Sequence, residues 1–499
     1  MSGGQARTLA QLGLAATGGA QAEVTGLAID SRKVRDGTLF AALPGTRVHG
    51  ADFIQYALRQ GASAILTDAA GARIARDVLA GSGAALVVTE DARAALSCAA
   101  ALWFGTQPEV MVAVTGTNGK TSVASFARQI WQAMGLEAIN VGTTGVEGSY
   151  TAPLAHTTPD AITLHKVLAD AARAGVTHAA MEASSHGLDQ RRLDGVQLVA
   201  AAFTNFSQDH LDYHHTFEAY FEAKAALFTR VLPEGGVAVI NMDDARGTEM
   251  AALAEARGQD VLRVGRHNTA QLRLLSQRFQ PTGQSLRFSW LDDIHQVDLP
   301  LIGGFQGENL LVAAGLVIGA GADAARVFQV LPEMETVRGR MQLAATRRNG
   351  AAVFVDFAHT PDAVSTAIDA LRPHVMGRLV AIIGAGGDRD PGKRPLMGQA
   401  AAARADLVIV TDDNPRSEDP AAIRAAVMQG CPGASNVGDR AEAILRGVDA
   451  LGPGDALLIL GKGHETGQTV GSDVLPFDDA EQASVAVMAL DSAEAGEGA

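Results

Sequence analysis

The run Thr115-Gly116-Thr117-Asn118-Gly119-Lys120-Thr121-Ser122 carries the most explicit chemistry in this chain. It follows the apolar stretch Val110-Met111-Val112-Ala113-Val114 and precedes a helical one, so a glycine-containing turn joins a strand to a helix N-terminus. Glycines there let backbone N–H groups turn towards a phosphate, and the helix end adds a favourable dipole. Lys120 is placed to bridge β- and γ-phosphate oxygens, and the Thr121 hydroxyl to ligate Mg²⁺. The reading is a nucleotide phosphate site built from Gly116, Thr117, Asn118, Gly119, Lys120, Thr121 and Ser122. Glu182 ends the run that starts at Thr177 and is a hard-oxygen ligand suited to share that metal, although a lone Glu at a strand end is more often a solvated surface residue. The same holds for His210 within Ser207-Gln208-Asp209-His210-Leu211-Asp212, and for Lys224, which on a helix with acidic neighbours reads as an exposed amine. A third group follows the apolar Leu407-Val408-Ile409-Val410: Asp412-Asp413-Asn414-Pro415-Arg416, accompanied by Gly386-Gly387-Asp388-Arg389 and Gly461-Lys462-Gly463-His464-Glu465. A guanidinium there can grip a carboxylate with two parallel bonds.

The elements that must hold these residues are legible as short apolar runs alternating with Ala-rich helical stretches, the pattern of α/β folds with mainly parallel sheets. With 499 residues, the length corresponds to about three domains. Boundaries are expected at 1–105, 106–337 and 338–499, with 491–499 a frayed tail. In the last region four strand-like runs, at 353–355, 379–383, 407–410 and 456–460, suggest a doubly wound, Rossmann-like sheet with ligands at the strand C-termini. Composition narrows the classes further. Lys+Arg 40 against Asp+Glu 55 gives −15, which disfavours nucleic acid and anionic membranes as partners. Only 2 Cys are present, far apart and without metal or redox spacing, which fits a reducing compartment. No run is long and apolar enough for a membrane span, and the segment from Thr8 to Ala22 is too interrupted for a secretory signal. A cytoplasmic, monomeric enzyme is the expectation.

Gly116 and Gly119 stand closer together than in the general Walker form. The resulting Gly-Thr-Asn-Gly-Lys-Thr resembles the Mur ligase and folylpolyglutamate synthase superfamily. That resemblance implies an ATP-dependent joining of a carboxylate to an amine through an acyl phosphate. It further implies that Glu182 and His210 hold two magnesium ions, and that Lys224, after the Asp-His-Leu-Asp-Tyr-His run, carries a CO₂-derived carbamate serving as a Mg²⁺ ligand. Lys120, Lys224, His210 and Glu182 are then the catalytic set, and Thr121, Glu182, His210 and Lys224 the metal set. Asn309 is implied on the adenine, Arg340 on the phosphates and Asp356 on the ribose; Phe357 stands where the family motif has Tyr, so no phenol acts there.

The chain's first hundred residues resemble the uridine-nucleotide domain of the family's amino-acid-adding branches, a domain that folylpolyglutamate synthases lack. By that resemblance Ile29, Ser31, Thr46, Arg47 and Val48 contact the UDP-sugar, while Thr157, Thr158, Ser184, Gln190 and Arg192 hold a muramoyl dipeptide. The Asp-Asn-Pro-Arg run resembles the branch that adds meso-2,6-diaminopimelate to UDP-N-acetylmuramoyl-L-alanyl-D-glutamate in peptidoglycan precursor synthesis. Arg389, Asp413, Asn414, Pro415, Arg416, Gly461 and Glu465 are then the diaminopimelate residues. Arg389 is implied on the near carboxylate, Arg416 on the distal one, and Asn414, Gly461 and Glu465 on the distal ammonium. Lysine lacks the distal carboxylate and would leave Arg416 unpaired, at about 1–3 kcal/mol or more. Two other readings share part of the pattern: a lysine-adding or folylpolyglutamate-like ligase, and a P-loop motor or nucleotide-gated binding protein. Only the second would hydrolyse ATP without an amine.

Overall fold

In the computed structural model the described residues are 6–17, 22–45, 48–207, 209 and 211–497. They form an α/β molecule with two compact units, Met1–Leu272 with Val312–Phe328, and Arg273–Leu311 with Gln329–Ala499.

After a short antiparallel pair, Arg7–Thr8 with Glu23–Val24, the first unit has four parallel strands, β1 (Gly26–Ala28), β2 (Thr38–Ala42), β3 (Ala64–Thr67) and β4 (Ala85–Val88), ordered as in the sequence. Side chains alternate across a strand, and β2 shows the result: Leu39 and Ala41 enter one apolar cluster, Phe40 and Ala42 another. Both faces are therefore covered, as a parallel sheet requires. The helix Ala92–Phe104 that follows is started by the Asp91 carboxylate, which accepts from the Ala94 N–H at 2.9 Å.

The larger sheet of this unit contains β5 (Val110–Thr115), β6 (Ala138–Gly142), β7 (Gly145–Gly148), β8 (His178–Glu182), β9 (Ala200–Phe203), β10 (Val237–Asn241) and β11 (Asp260–Gly265), in the order β11-β10-β9-β5-β8-β6-β7. Every pair is parallel except β6–β7 at the edge. β5 lies between β8 and β9, so the C-terminal ends of these three strands adjoin. The helix α1 (Lys120–Ala133) leaves directly from the loop after β5, and α2 (Phe217–Ala226) buries Tyr220, Phe221 and Lys224. Ligands of open α/β sheets collect at that end.

The second unit holds β12 (Leu272–Gln280), β13 (Gly283–Trp290) and β14 (Asp293–Leu299), the last two an antiparallel hairpin. Its main sheet is β15 (Gln342–Thr346), β16 (Ala352–Asp356), β17 (Leu379–Ile383), β18 (Leu407–Val410), β19 (Ser435–Asn436) and β20 (Ala456–Leu460), ordered β15-β16-β20-β17-β18-β19. Only β15–β16 is antiparallel. Phe354 faces one apolar cluster while Val353 and Val355 face another, so helices cover both sides. A small hairpin, β21 (Gly467–Val470) with β22 (Asp473–Pro476), follows β20. The last helix, α3 (Asp479–Glu497), includes Asp491, which accepts from Arg347 Nε at 3.0 Å and the Arg348 N–H at 2.9 Å; the tail expected at 491–499 lies partly outside the described residues. Among the described residues no helix is long and apolar enough to cross a membrane.

Candidate active site

In the first unit the loop after β5 is shaped by its neighbour β9. Gly116 adopts φ +148°, and a Cβ there would lie 1.9 Å from Thr204 Oγ1, so no other residue fits. Asn205 accepts the Asn118 N–H on its side-chain oxygen (2.8 Å) and the Thr117 N–H on its carbonyl (2.9 Å). With those two amides taken, the N–H groups opening α1 are the ones placed for a phosphate. Lys120 lies back over the loop, its Nζ 2.9 Å from the Gly116 carbonyl and 2.8 Å from that of Thr117.

Lys224 donates to the same Gly116 carbonyl at 2.6 Å and sits 4.4 Å over the Tyr220 ring. It is 1% exposed, the opposite of the surface amine its helix suggested. Burial, and then the neighbouring Lys120 charge, push its pKa well below that of an ordinary lysine, with Asp209 pulling the other way.

Glu182 ends β8 beside this loop and is 2% exposed. Its carboxylate accepts from Thr121 Oγ1 (3.0 Å), the Thr143 N–H (2.7 Å) and Thr143 Oγ1 (3.2 Å). Gly142 makes room for it: a Cβ there would lie 2.1 Å from Glu182 Oε1. A hydroxyl and a carboxylate at a phosphate loop are the hard oxygens Mg²⁺ takes, and this donor set fits that ion. His210, expected with them, lies outside the described residues, and among those described no group of three or more His, Cys, Asp or Glu gathers as a metal cluster.

The residues expected at a dipeptide lie around the end of β8. Thr157 Oγ1 is 3.0 Å from Thr143 Oγ1, and Thr158 Oγ1 donates to the Glu182 carbonyl at 2.8 Å while accepting the Ser184 N–H at 3.0 Å. Arg192 donates to the Thr158 carbonyl and, at 2.8 Å, to Gln190, whose amide reaches Tyr213 at 3.1 Å. Ser184 itself caps the short helix Ser185–Asp189. In the N-terminal sheet Ser31 is buried, whereas Ile29 and Val48 are exposed at 41% and 55%. Thr46 and Arg47 lie outside the described residues.

In the second unit two clusters form. In the first, Asp356 accepts the Met341 N–H (2.7 Å) and the Ala358 N–H (2.8 Å), and burial raises its pKa against the pull of Arg340. Arg340 lies 4.7 Å over the Phe357 ring, and Gln306 donates to its carbonyl at 3.1 Å, with Asn309 one helical turn further on. In the second cluster Gly386 lies against both arginines: a Cβ there would be 2.7 Å from Arg416 Nη1 and 3.8 Å from Arg389 Cγ. Arg416 has φ +52° and donates to the Gly387 carbonyl at 2.8 Å. The carbonyl of Pro415 faces Gly387 so closely that a Cβ there would meet it at 1.9 Å.

Asn414 is fully engaged. Its Nδ2 donates to Asp413 Oδ1 (3.0 Å) and Glu465 Oε2 (2.8 Å), and its Oδ1 accepts the Thr469 N–H at 2.8 Å. Its direct contribution is therefore to place the two carboxylates. Gly461, at φ +114°, leaves space for Asp413, whose Oδ2 would be 2.5 Å from a Cβ.

Several residues on these surfaces escape a reading by motif. Thr143, Asn205 and Tyr220 act through contacts distant in sequence; only Thr143, in a Gly-Thr-Thr-Gly run at a strand end, offers a local signal. Lys462 is the other omission.

Comparison with known proteins adds the following. Residues 23–103 match the description "Mur ligase family, catalytic domain", 114–317 "Mur ligase middle domain", and 339–463 "Mur ligase, glutamate ligase domain". The chain is 50% identical over 476 residues to the UDP-N-acetylmuramoyl-L-alanyl-D-glutamate--2,6-diaminopimelate ligase of Caulobacter vibrioides, covering 94% of this chain and 96% of that one. It is likewise 50% identical over 469 residues to the enzyme of that description from Bradyrhizobium diazoefficiens, covering 93% and 95%. A solved structure of a UDP-N-acetylmuramoyl-L-alanyl-D-glutamate--2,6-diaminopimelate ligase superposes with a TM-score of 0.71 at 34% identity, over 97% of this chain and 99% of that one.

Proposed function

Because the chain belongs to the Mur ligase family, we propose that it joins the D-glutamate carboxylate of UDP-N-acetylmuramoyl-L-alanyl-D-glutamate to an amine of meso-2,6-diaminopimelate, converting ATP to ADP and phosphate. The observation that carries the amine's identity is the second cluster of the second unit. Arg416 and Arg389 flank Gly386 on loops next to a Glu465 carboxylate fixed by Asn414. Guanidinium and carboxylate side by side suit a ligand end bearing both a carboxylate and an ammonium.

In the reaction a glutamate carboxylate oxygen attacks the γ-phosphorus of ATP, giving acyl phosphate and ADP. The amine nitrogen then attacks the acyl carbon, loses its proton, and phosphate leaves. The chain's part is positioning and charge stabilisation. The N–H groups opening α1 and Lys120 take the phosphates, a role that the family pattern also gives Arg340. Thr158, Ser184, Gln190 and Arg192 orient the dipeptide beside Glu182. Asn309 and Asp356 serve the adenosine end, and Ile29, Ser31, Thr46, Arg47 and Val48 the uridine nucleotide. Thr121, Glu182, His210 and a carbamylated Lys224 are the residues that would hold Mg²⁺, which when bound offsets the charge gathered between phosphate and carboxylate. For Lys224, the neutral amine favoured by burial adds to CO₂, forming an N–C bond and releasing a proton. Domains at 1–105, 106–337 and 338–499 divide these tasks among UDP-sugar, ATP and amino acid. The enzyme works in the cytoplasm as a monomer, without nucleic acid or membrane.

The deciding experiment measures phosphate release with ATP, Mg²⁺ and the UDP-dipeptide while the amine is varied among diaminopimelate, lysine and ornithine. Release only with diaminopimelate, and loss of that preference in Arg416→Ala, is the expected result. Release with lysine alone, or with no amine, overturns the proposal. Growth of a ¹³C carbamate resonance with labelled bicarbonate, absent from Lys224→Ala, is expected for the modified lysine.

A further inference from the structure

Lys462 lies at the centre of the amino-acid cluster and is 0% exposed. Its ammonium donates to Glu465 Oε2 (3.2 Å), to the Gly467 carbonyl (2.5 Å) and, at the long end of hydrogen bonding, to Asn414 Oδ1 (3.5 Å). A carboxylate, an amide oxygen and a backbone carbonyl are the partners a bound ammonium needs, and here the protein's own side chain has them. Glu465 is thereby divided. Its Oε2 is held inward by Lys462 and Asn414, while its side chain stays 36% exposed and its Oε1 accepts no hydrogen bond among the described residues. One carboxylate oxygen remains for a ligand.

The charge count gives this a consequence. Around Asn414 stand Asp413 and Glu465, both acidic, and Lys462, which among the described residues is the buried cation bonded to Glu465; Arg440, whose charge also reaches both carboxylates, is matched by Asp479 at 2.7 Å. With Lys462 the three sum to −1; without it they would sum to −2. A doubly negative pocket attracts any amine, including one with no carboxylate beside it. A singly negative pocket next to Arg416 and Arg389 holds an ammonium well only when a carboxylate comes with it to meet the guanidinium.

Resting on the function proposed above, we infer that Lys462 is a specificity-determining positioning residue: its buried ammonium partly neutralises Glu465 and thereby favours an amino acid with a zwitterionic distal end over one ending in a bare amine. The hairpin β21–β22 shares in this, because the Gly467 carbonyl and the Thr469 N–H hold Lys462 and Asn414 in place.

The test compares kcat/KM for diaminopimelate and for lysine in the wild type, Lys462→Met and Glu465→Gln. Lys462→Met is expected to narrow the preference for diaminopimelate by about tenfold or more, through the KM of the amine, with the KM of ATP unchanged. Glu465→Gln alters a partly exposed side chain, leaves the Lys462 charge uncompensated, and is expected to widen the preference. Opposite shifts from the two variants are what a merely structural role would not produce. If both lower the two amines by the same factor, or Lys462→Met leaves the preference unchanged in a protein that still binds ATP, the inference fails. If Lys462→Met does not fold, the direction of the Glu465→Gln shift decides alone. A wild type that releases no phosphate with diaminopimelate overturns the proposed function instead, before any variant is compared.

Discussion

Lys224 sets burial against charge. An ammonium at 1% exposure that shares a carbonyl with Lys120 loses solvation and meets a like charge. Converted to a carbamate, the same side chain would become an anion beside that lysine. Lys224→Met should therefore fold, since it removes an unfavourable buried charge, and yet lose activity by about 10²-fold or more. Thermal melting and single-turnover phosphate release check the two halves separately. His165 presents a simpler case. It is 3% exposed, its Nε2 has no hydrogen-bond partner, and burial lowers its pKa from 6.5 to about 4. The unfolded chain then takes up a proton near pH 6.5 that the folded chain refuses until about pH 4. Stability rises with pH in that window and is lost as pH falls through it. Between pH 6.5 and 5 the loss due to this imidazole is about 2 kcal/mol, and urea titrations of His165→Met should show a decline smaller by that amount.

At the scale of elements, function is concentrated where strands end. β6 and β8 bring Gly142 and Glu182 together, and the glycine leaves no room for a side chain. Gly142→Ala should displace the carboxylate from Thr121 and Thr143, raising the Mg²⁺ concentration needed for half-maximal phosphate release by about 10–100-fold. Unchanged Mg²⁺ dependence would show that Glu182 does not act through the metal. What could be read beforehand follows the same geography. Val110 to Thr115 and the glycine loop after it are local in sequence, so periodicity and turn chemistry reveal both the strand and its phosphate site. The five-residue run from Asp412 stands out only through its resemblance to the family's motif. The burial of Lys224 is not local: only the packing of α2 against Gly116, 108 residues away in sequence, makes it a buried amine. Lys462 was hidden for the same reason, since its partners Asn414 and Gly467 come from a loop and from the start of β21.

Taken whole, the molecule reconciles a net charge of −15 with a set of anionic ligands. Lys120, Arg192, Arg340, Arg389 and Arg416 sit on loops or element ends, so positive charge is local while most of the surface stays acidic. The division into units is not a simple cut in the chain. Residues 273–311 belong with the C-terminal region, and the reason is physical. His374 donates from Nδ1 to the Gln280 carbonyl (2.7 Å) and accepts the Gly303 N–H on Nε2 (3.0 Å), while Ile302 packs in the cluster of Ile368 and Leu371. A fragment limited to 338–499 loses all three contacts. It should be less stable than one that includes 273–311 by about 3–5 kcal/mol, and supplying 273–311 as a separate peptide should recover part of the difference in a circular-dichroism melt.

That interleaving bears on how the protein is made. Ile302 leaves the ribosome well before Leu460, the last residue of β20, whose strand completes the cluster that covers it. Domains fold during synthesis at about 5–20 residues per second, so roughly 8–30 s pass between the two. For that interval Ile302 waits for the strands that cover it. Slow translation of the last third of the message would lengthen the wait, and with it the time for which the apolar side chain of Ile302 has no partner from β20.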